Sequence, residues 1–374
     1  MDFSMPTRHL TADFFPGIWF PALCVSSLRS PCRVVVSPSL EIPMSRFTAV
    51  CAALVSLVAT VSLADTVYVT SFTTGEIISY DSADPAGTRT VLSGSGALIK
   101  PGALTVGPDG NLYIGENGDG ATFAPRISKF EPATLTLSTV VAFGSFEVFP
   151  GSLAFQGNDL LVGRNPFFGN TGPIVKVSNA TSGTVAVSDY TTGGSLASSP
   201  GLALGADGRL YVSDQTYNFG TAIASGPVKR FDPAGVFVGE VIASGSSGLA
   251  GPTGLAISGS TLYTASIMTG TVLRTDLSTD VTTSFASAGG VFEVGTLALL
   301  ADGGLLAGSP SGSGSIYRFD TDGTLLETYA SGLGQIGGIA TVAAVPEPGG
   351  VTLAVGGLAV LGWLARRGRR DRTA

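Results

Sequence analysis

The sequence predicts an all-β fold: a six-bladed β-propeller over residues 65–344, flanked by an N-terminal segment patterned as a signal peptide and a C-terminal segment with one transmembrane helix. Three observations carry this. First, an apolar strand motif recurs six times, its anchors Leu104, Leu153, Leu202, Leu255, Leu297 and Ile339 lying 49, 49, 53, 42 and 42 residues apart. A period of about 40–50 residues with several short strands per repeat is the mark of propeller blades. Second, each such strand leads through a tight turn into a partner such as Leu112-Tyr113-Ile114 or Leu210-Tyr211-Val212. Third, the first and last copies are incomplete in complementary ways.

Residues 1–43 carry prolines at 6, 16, 21, 31, 38 and 43 and no clear periodicity. They read as a mis-called or disordered extension, with translation starting at Met44. Residues 44–64 read as a signal peptide: Arg46 is the positive region, Val50 to Val61 the apolar region, and small residues end it. Cleavage between Ala64 and Asp65 makes Asp65 the first mature residue.

The body enters on Thr66-Val67-Tyr68-Val69, a second-type strand, followed by Ile77 to Asp81 and Thr90 to Leu92. It ends on a lone first-type strand, Gly338 to Val342. One blade is therefore assembled from both ends, which closes the ring and removes exposed sheet edges. Five contiguous blades lie between. The cleanest copy is Ser199 to Gly235, with its strands at Gly201–Leu204, Leu210–Val212 and Val228–Phe231. The turns at Asp109-Gly110, Asp207-Gly208 and Asp302-Gly303 predict two-residue type I′ hairpins, whose central residues both need positive φ. Recurrent Tyr113, Tyr211, Tyr263, Phe130, Phe231 and Phe319 read as core.

Composition narrows the chemistry. Residues 65–345 hold 22 Asp and Glu against 11 Lys and Arg, the wrong balance for nucleic acid, whose phosphates need clustered cations. All three cysteines (Cys24, Cys32, Cys51) and the one histidine, His9, precede Asp65. A body without them has no cysteine nucleophile, no Ser-His-Asp triad and no His- or Cys-ligated metal. Carboxylate, Lys, Tyr or oxygen-ligated-metal chemistry remains.

The run Pro-x-Gly-Leu-Ala-Leu, then Asp-Gly-x-Leu-Tyr-Val-Ser-Asp, then Val-x-Arg-Phe-Asp-Pro is sharpest at 200–233 and recurs at 101–132. It resembles the NHL-type six-bladed propellers and, more loosely, the gluconolactonase and senescence-marker propellers. The second resemblance implies a divalent ion at the channel mouth held by oxygen ligands from different blades. Glu116, Asn165 and Asp214 follow the second strands of successive blades and are the candidate set, suited to Ca²⁺ or Mg²⁺. The competing reading is that Glu116 and Asp214 cap loop amides. Asn117-Gly118-Asp119-Gly120 lacks the distal glutamate of an EF-hand and reads as a turn.

Residues 345–374 begin Val345-Pro346-Glu347-Pro348, continue with an uncharged apolar run over 351–365, and end on Arg366, Arg367, Arg369 and Arg370. As a helix the run spans roughly 22 Å, and the arginines hold its end cytoplasmic. This tail resembles the PEP-CTERM sorting signal of Gram-negative bacteria. The resemblance implies an exosortase partner, cleavage near Pro346, and release or attachment at the cell surface, often among exopolysaccharide.

The expectation is an exported, non-catalytic surface or matrix binding propeller, with an exopolysaccharide or surface protein as partner. The alternative is a metal-dependent lactonase-like hydrolase. A channel plugged by Leu and Tyr favours the first, a bound divalent cation the second.

Overall fold

The computed structural model describes residues 64–144, 148–165, 171–218, 220–287, 294–310 and 314–343. The segments read from the sequence as an extension and a signal peptide, before Ala64, and as a sorting tail, after residue 344, lie outside them. Among the described residues no helix is long and apolar enough to cross a membrane.

Six four-stranded antiparallel sheets form the blades of a propeller. Blade 1 begins with β1 (Thr66–Ser71), β2 (Ile77–Asp81) and β3 (Thr90–Ser93). Blade 2 is β4 (Pro101–Val106), β5 (Leu112–Glu116), β6 (Arg126–Glu131) and β7 (Thr136–Ala142). Blade 3 is β8 (Pro150–Gln156), β9 (Asp159–Arg164), β10 (Val175–Ser178) and β11 (Ala186–Asp189). Blade 4 holds β12 (Gly201–Leu204) and β13 (Leu210–Ser213), then an inserted hairpin of β14 (Thr216–Asn218) and β15 (Ile223–Ser225), then β16 (Val228–Phe231) and β17 (Phe237–Ile242). Blade 5 is β18 (Pro252–Ser258), β19 (Thr261–Ser266), β20 (Thr271–Asp276) and β21 (Val281–Ser287). Blade 6 is β22 (Thr296–Leu299), β23 (Leu305–Gly308), β24 (Ile316–Phe319) and β25 (Leu325–Ala330). The last strand, β26 (Ile336–Val342), returns to blade 1 and pairs with β1 from Thr66↔Val342 to Thr70↔Gly338. The ring is closed by both ends of the body, as the complementary end copies predict.

Burial lies between blades. Each of six apolar clusters joins two neighbours: Leu202, Leu210 and Phe231 of blade 4 pack on Ala154 and Leu161 of blade 3, for example. The anchors Leu153, Leu202, Leu255, Leu297 and Ile339 belong to five of these clusters, and Leu104 packs against the sixth. The recurrent Tyr and Phe residues are buried as the sequence predicts. Near the axis the first strands come so close that side chains do not fit everywhere. A Cβ at Gly201 would run into the Thr253 carbonyl oxygen of the next blade, and one at Gly337 into that of Pro101. Hydroxyls stitch the same seam, with Ser152 Oγ donating to Ser199 O at 2.6 Å and Thr341 Oγ1 to Leu299 O at 2.7 Å.

The Asp-Gly turns differ from the expected type. Gly110, Gly208 and Gly303 have φ of 75, 79 and 85°, but Asp109, Asp207 and Asp302 do not share positive φ. Gly110 N donates to Gly107 O at 2.9 Å, so the aspartate is the third residue of a four-residue turn and only the glycine is left-handed. In blade 2 Pro108 enforces this, because its ring locks φ near −65° where a type I′ turn needs a positive value; Ala206 and Ala301 hold the same place in the other two turns, at negative φ.

Candidate functional site

A channel of about 1130 Å³ runs along the axis, walled by the six first strands. At one end its rim is built by loops between second and third strands and by loops entering each new blade. The described residues there include Phe72, Lys100, Asn165, Gln215, Tyr217 and Met268. The channel is open; the buried tyrosines sit between blades and do not plug it. That criterion therefore does not favour the binding module.

The three candidate ligands are not presented to the channel together. Asn165 lines it, and its backbone N–H donates to Phe149 O at 2.7 Å. Glu116 and Asp214 are buried and do not line it. Glu116, fully buried at the end of β5, accepts from Ile99 N–H at 2.6 Å, from Arg126 Nε at 2.8 Å and Nη2 at 2.9 Å, and from the Ser128 hydroxyl. Asp214, just past β13, accepts from Ala197 N–H at 2.7 Å and from Lys229 Nζ at 2.6 Å, and that ammonium also donates to Ser195 O at 2.7 Å.

The two sites are one device in two blades. In each, a carboxylate at the end of the second strand catches a loop amide 17 residues upstream and is neutralised from the third strand. Lys229 stands two residues before Phe231, as Ser128 stands two before Phe130, so equivalent strand positions supply a donor. Blade 5 performs the same capture without charge: Ser266 Oγ accepts from Ala250 N–H at 2.9 Å. In blade 1, Ser71 Oγ donates to Leu333 O at 2.7 Å. A carboxylate whose oxygens already hold amide and cationic donors does not fit a divalent cation, which would have to displace a buried positive charge. Among the described residues no three His, Cys, Asp or Glu gather in a way that could hold a metal.

Asn117 is buried beside Glu116; its Nδ2 donates to Lys100 O at 3.3 Å, and among the described residues its Oδ1 has no hydrogen-bond partner. Asp119 Oδ1 accepts from the N–H groups of Ala121, Thr122 and Phe123 at 2.8–2.9 Å. The Phe123 and Ala121 amides, foremost, hold its carboxyl below the usual carboxylate range. The segment is a turn closed on its own backbone.

Sequence reasoning missed the rim residues Lys100, Tyr217 and Met268. Gln215 follows Asp214, and its Nε2 donates to Pro252 O of the next blade at 3.1 Å. The signal that could have found them is positional, since each lies within a few residues of a strand end facing the mouth.

No protein-family profile matches the chain, and no curated protein matches it in sequence. Among solved structures it is similar to a chain in the crystal structure of a nidogen/laminin complex, at 13% identity and a TM-score of 0.60, over 75% of this chain and 98% of that one. At that identity the similarity shows the propeller fold alone.

Proposed function

We propose that this chain is an exported, non-catalytic β-propeller that binds a macromolecular partner at its channel mouth. The observation that carries the reading is the internal wiring of Glu116 and Asp214. The two acids best placed for metal-assisted hydrolysis hold loops in place and are neutralised by Arg126 and Lys229. The described body offers no His or Cys to replace them. A protein partner is the favoured class, and the similar propeller comes from a structure titled as a protein complex. Export through residues 44–64 and sorting by an exosortase through Pro346-Glu347-Pro348 complete the proposal, with the cell surface or extracellular matrix of a Gram-negative bacterium as destination.

The test is intact mass of protein purified from its native envelope. A chain beginning at Asp65 and ending near Pro346 supports export and sorting. A chain retaining residues 1–43, or one keeping Arg366 to Arg370 wherever it is found, contradicts them.

A further inference from the structure

The chain enters and leaves the propeller at one end. β26 is an innermost strand. It starts at the mouth, where Gln335 O accepts from the N–H of the rim residue Phe72 at 2.7 Å, and it finishes with Val342 opposite Thr66. Thr66 opens β1, and its neighbour Asp65 lies at the far end of the blades, Oδ2 accepting from Ala301 N–H beside the Asp302-Gly303 turn at 2.6 Å. Asp65 and Ala343 therefore stand together near the axis, at the end that carries the Asp-Gly turns.

The sequence reads as a membrane segment on each side of this body, and both segments are close. Three residues, 62–64, separate the apolar region ending at Val61 from Asp65. Seven, 344–350, separate Ala343 from the apolar run over 351–365. Seven residues at full extension reach about 25 Å. To bring the mouth against a bilayer, the link would have to pass outward across a blade and then along it. Three strand spacings take roughly 14 Å and a strand as long as β8, of seven residues, roughly 23 Å, a path of roughly 37 Å. The link is too short for that path.

We propose that, while either segment is in the membrane, the propeller stands with its Asp-Gly turn end on the bilayer and its mouth facing away. The mouth then meets its partner in the anchored and the released protein alike, whereas the turn end opens to a macromolecule only after cleavage. This rests on the export and sorting reading and adds which face is free to bind. Asp84, Asp109, Asp207, Asp232, Asp302 and Asp320 lie in the turns of that end. Chain length, and not attraction to anionic headgroups, sets the arrangement.

The test carries one fluorophore on a single cysteine in the full-length protein, with Cys24→Ala, Cys32→Ala and Cys51→Ala. The cysteine is Thr321→Cys at the turn end or Met268→Cys at the mouth, both exposed positions. Each protein is reconstituted into phosphatidylcholine/phosphatidylglycerol vesicles with a nitroxide on the lipid headgroup, and quenching is read against nitroxide-free vesicles. The Thr321 label is expected to be quenched severalfold more than the Met268 label. Equal quenching, or more at Met268, in protein that floats with the vesicles overturns the orientation and leaves the membrane segments standing. Protein that does not float overturns the membrane segments and the orientation with them. Inserting about thirty Gly and Ser residues after Ala64 and after Ala343 gives each link the length to pass a blade, and the two labels are then expected to be quenched alike. A difference that survives the insertions shows a turn end that binds lipid by itself and overturns the short link as the cause.

Discussion

The two ends of the blades use the same residue types at different range. At the end opposite the mouth, aspartates act locally. Asp109, Asp207 and Asp302 close their own turns, Asp302 Oδ1 accepting from Gly304 N–H at 2.8 Å. Their cations sit on partly exposed surface, as Lys129 does with Asp109 at 3.0 Å and Arg209 with Asp207 at 3.1 Å. At the mouth, Glu116 and Asp214 act over distance, tying a loop 17 residues upstream to a cation on the following strand. The first arrangement shapes a turn in water; the second builds a small buried scaffold. An acid in a propeller loop is therefore not by itself a ligand: its burial and its partners decide.

The sharpest way to break the contrast is to remove one acid from each end. Glu116→Ala leaves the Arg126 guanidinium and the Ile99 amide without their acceptor, and we expect a loss of about 3–5 kcal/mol of stability, read from the urea midpoint. The Glu116→Ala/Arg126→Ala double variant should lose less than Glu116→Ala alone. Next is the axial seam. Gly201→Ala drives a methyl into the Thr253 carbonyl, and overpacking of this kind costs roughly 1–3 kcal/mol. Gly110→Ala at the opposite end meets open space, and only its φ of 75° resists, for a cost of about 1–2 kcal/mol. Asp207→Ala removes an exposed pair and a turn bond and should cost at most about 1 kcal/mol.

The pH profile sharpens the comparison from another side. Hydrogen bonds from Asn111, Lys129 and Tyr113 outweigh burial at Asp109 and hold its carboxyl low, and the Ser278 hydroxyl and amide do the same at Asp276. A depressed carboxyl contributes stability that is present above its unfolded value of about 3.9 and is lost as pH falls. Burial, with Asp109 beside it at Tyr113, raises the Tyr113 phenol, and burial foremost raises that of Tyr329. Their contribution is present below the unfolded value of about 10 and is lost as pH rises past it. With no His or Cys after residue 64, thermal unfolding should show a flat midpoint through neutral pH and a fall at each extreme. A step near pH 6–7 contradicts this.

How much of this was legible in the sequence follows from the range of each interaction. First, second and third strands could be read because their apolar residues face a neighbouring blade at a fixed period. The outer strands Thr136–Ala142, Ala186–Asp189 and Val281–Ser287 could not, since they are largely exposed and carry little apolar alternation. The β14–β15 hairpin went unread for the same reason: Thr216-Tyr217-Asn218 and Ile223-Ala224-Ser225 show only one buried position between them. The capping role of Glu116 and Asp214 was legible as one of two readings. Their cations were not, because Arg126 and Lys229 lie 10 and 15 residues along the chain and meet them only through the pairing of second and third strands.

The most direct test of the claim that the mouth carboxylates are wired internally is the melting temperature of the full-length protein with Ca²⁺, with Mg²⁺ and with chelator. An ion bound only by the folded state stabilises it by about 2.7 kcal/mol at a hundred times its dissociation constant, a shift easily resolved. The wired arrangement predicts the same melting temperature in all three conditions, for wild type and for Asp214→Ala alike, the variant being lower throughout. A melting temperature that rises with Ca²⁺ or Mg²⁺ in wild type and not in Asp214→Ala would contradict it and restore the metal-dependent hydrolase.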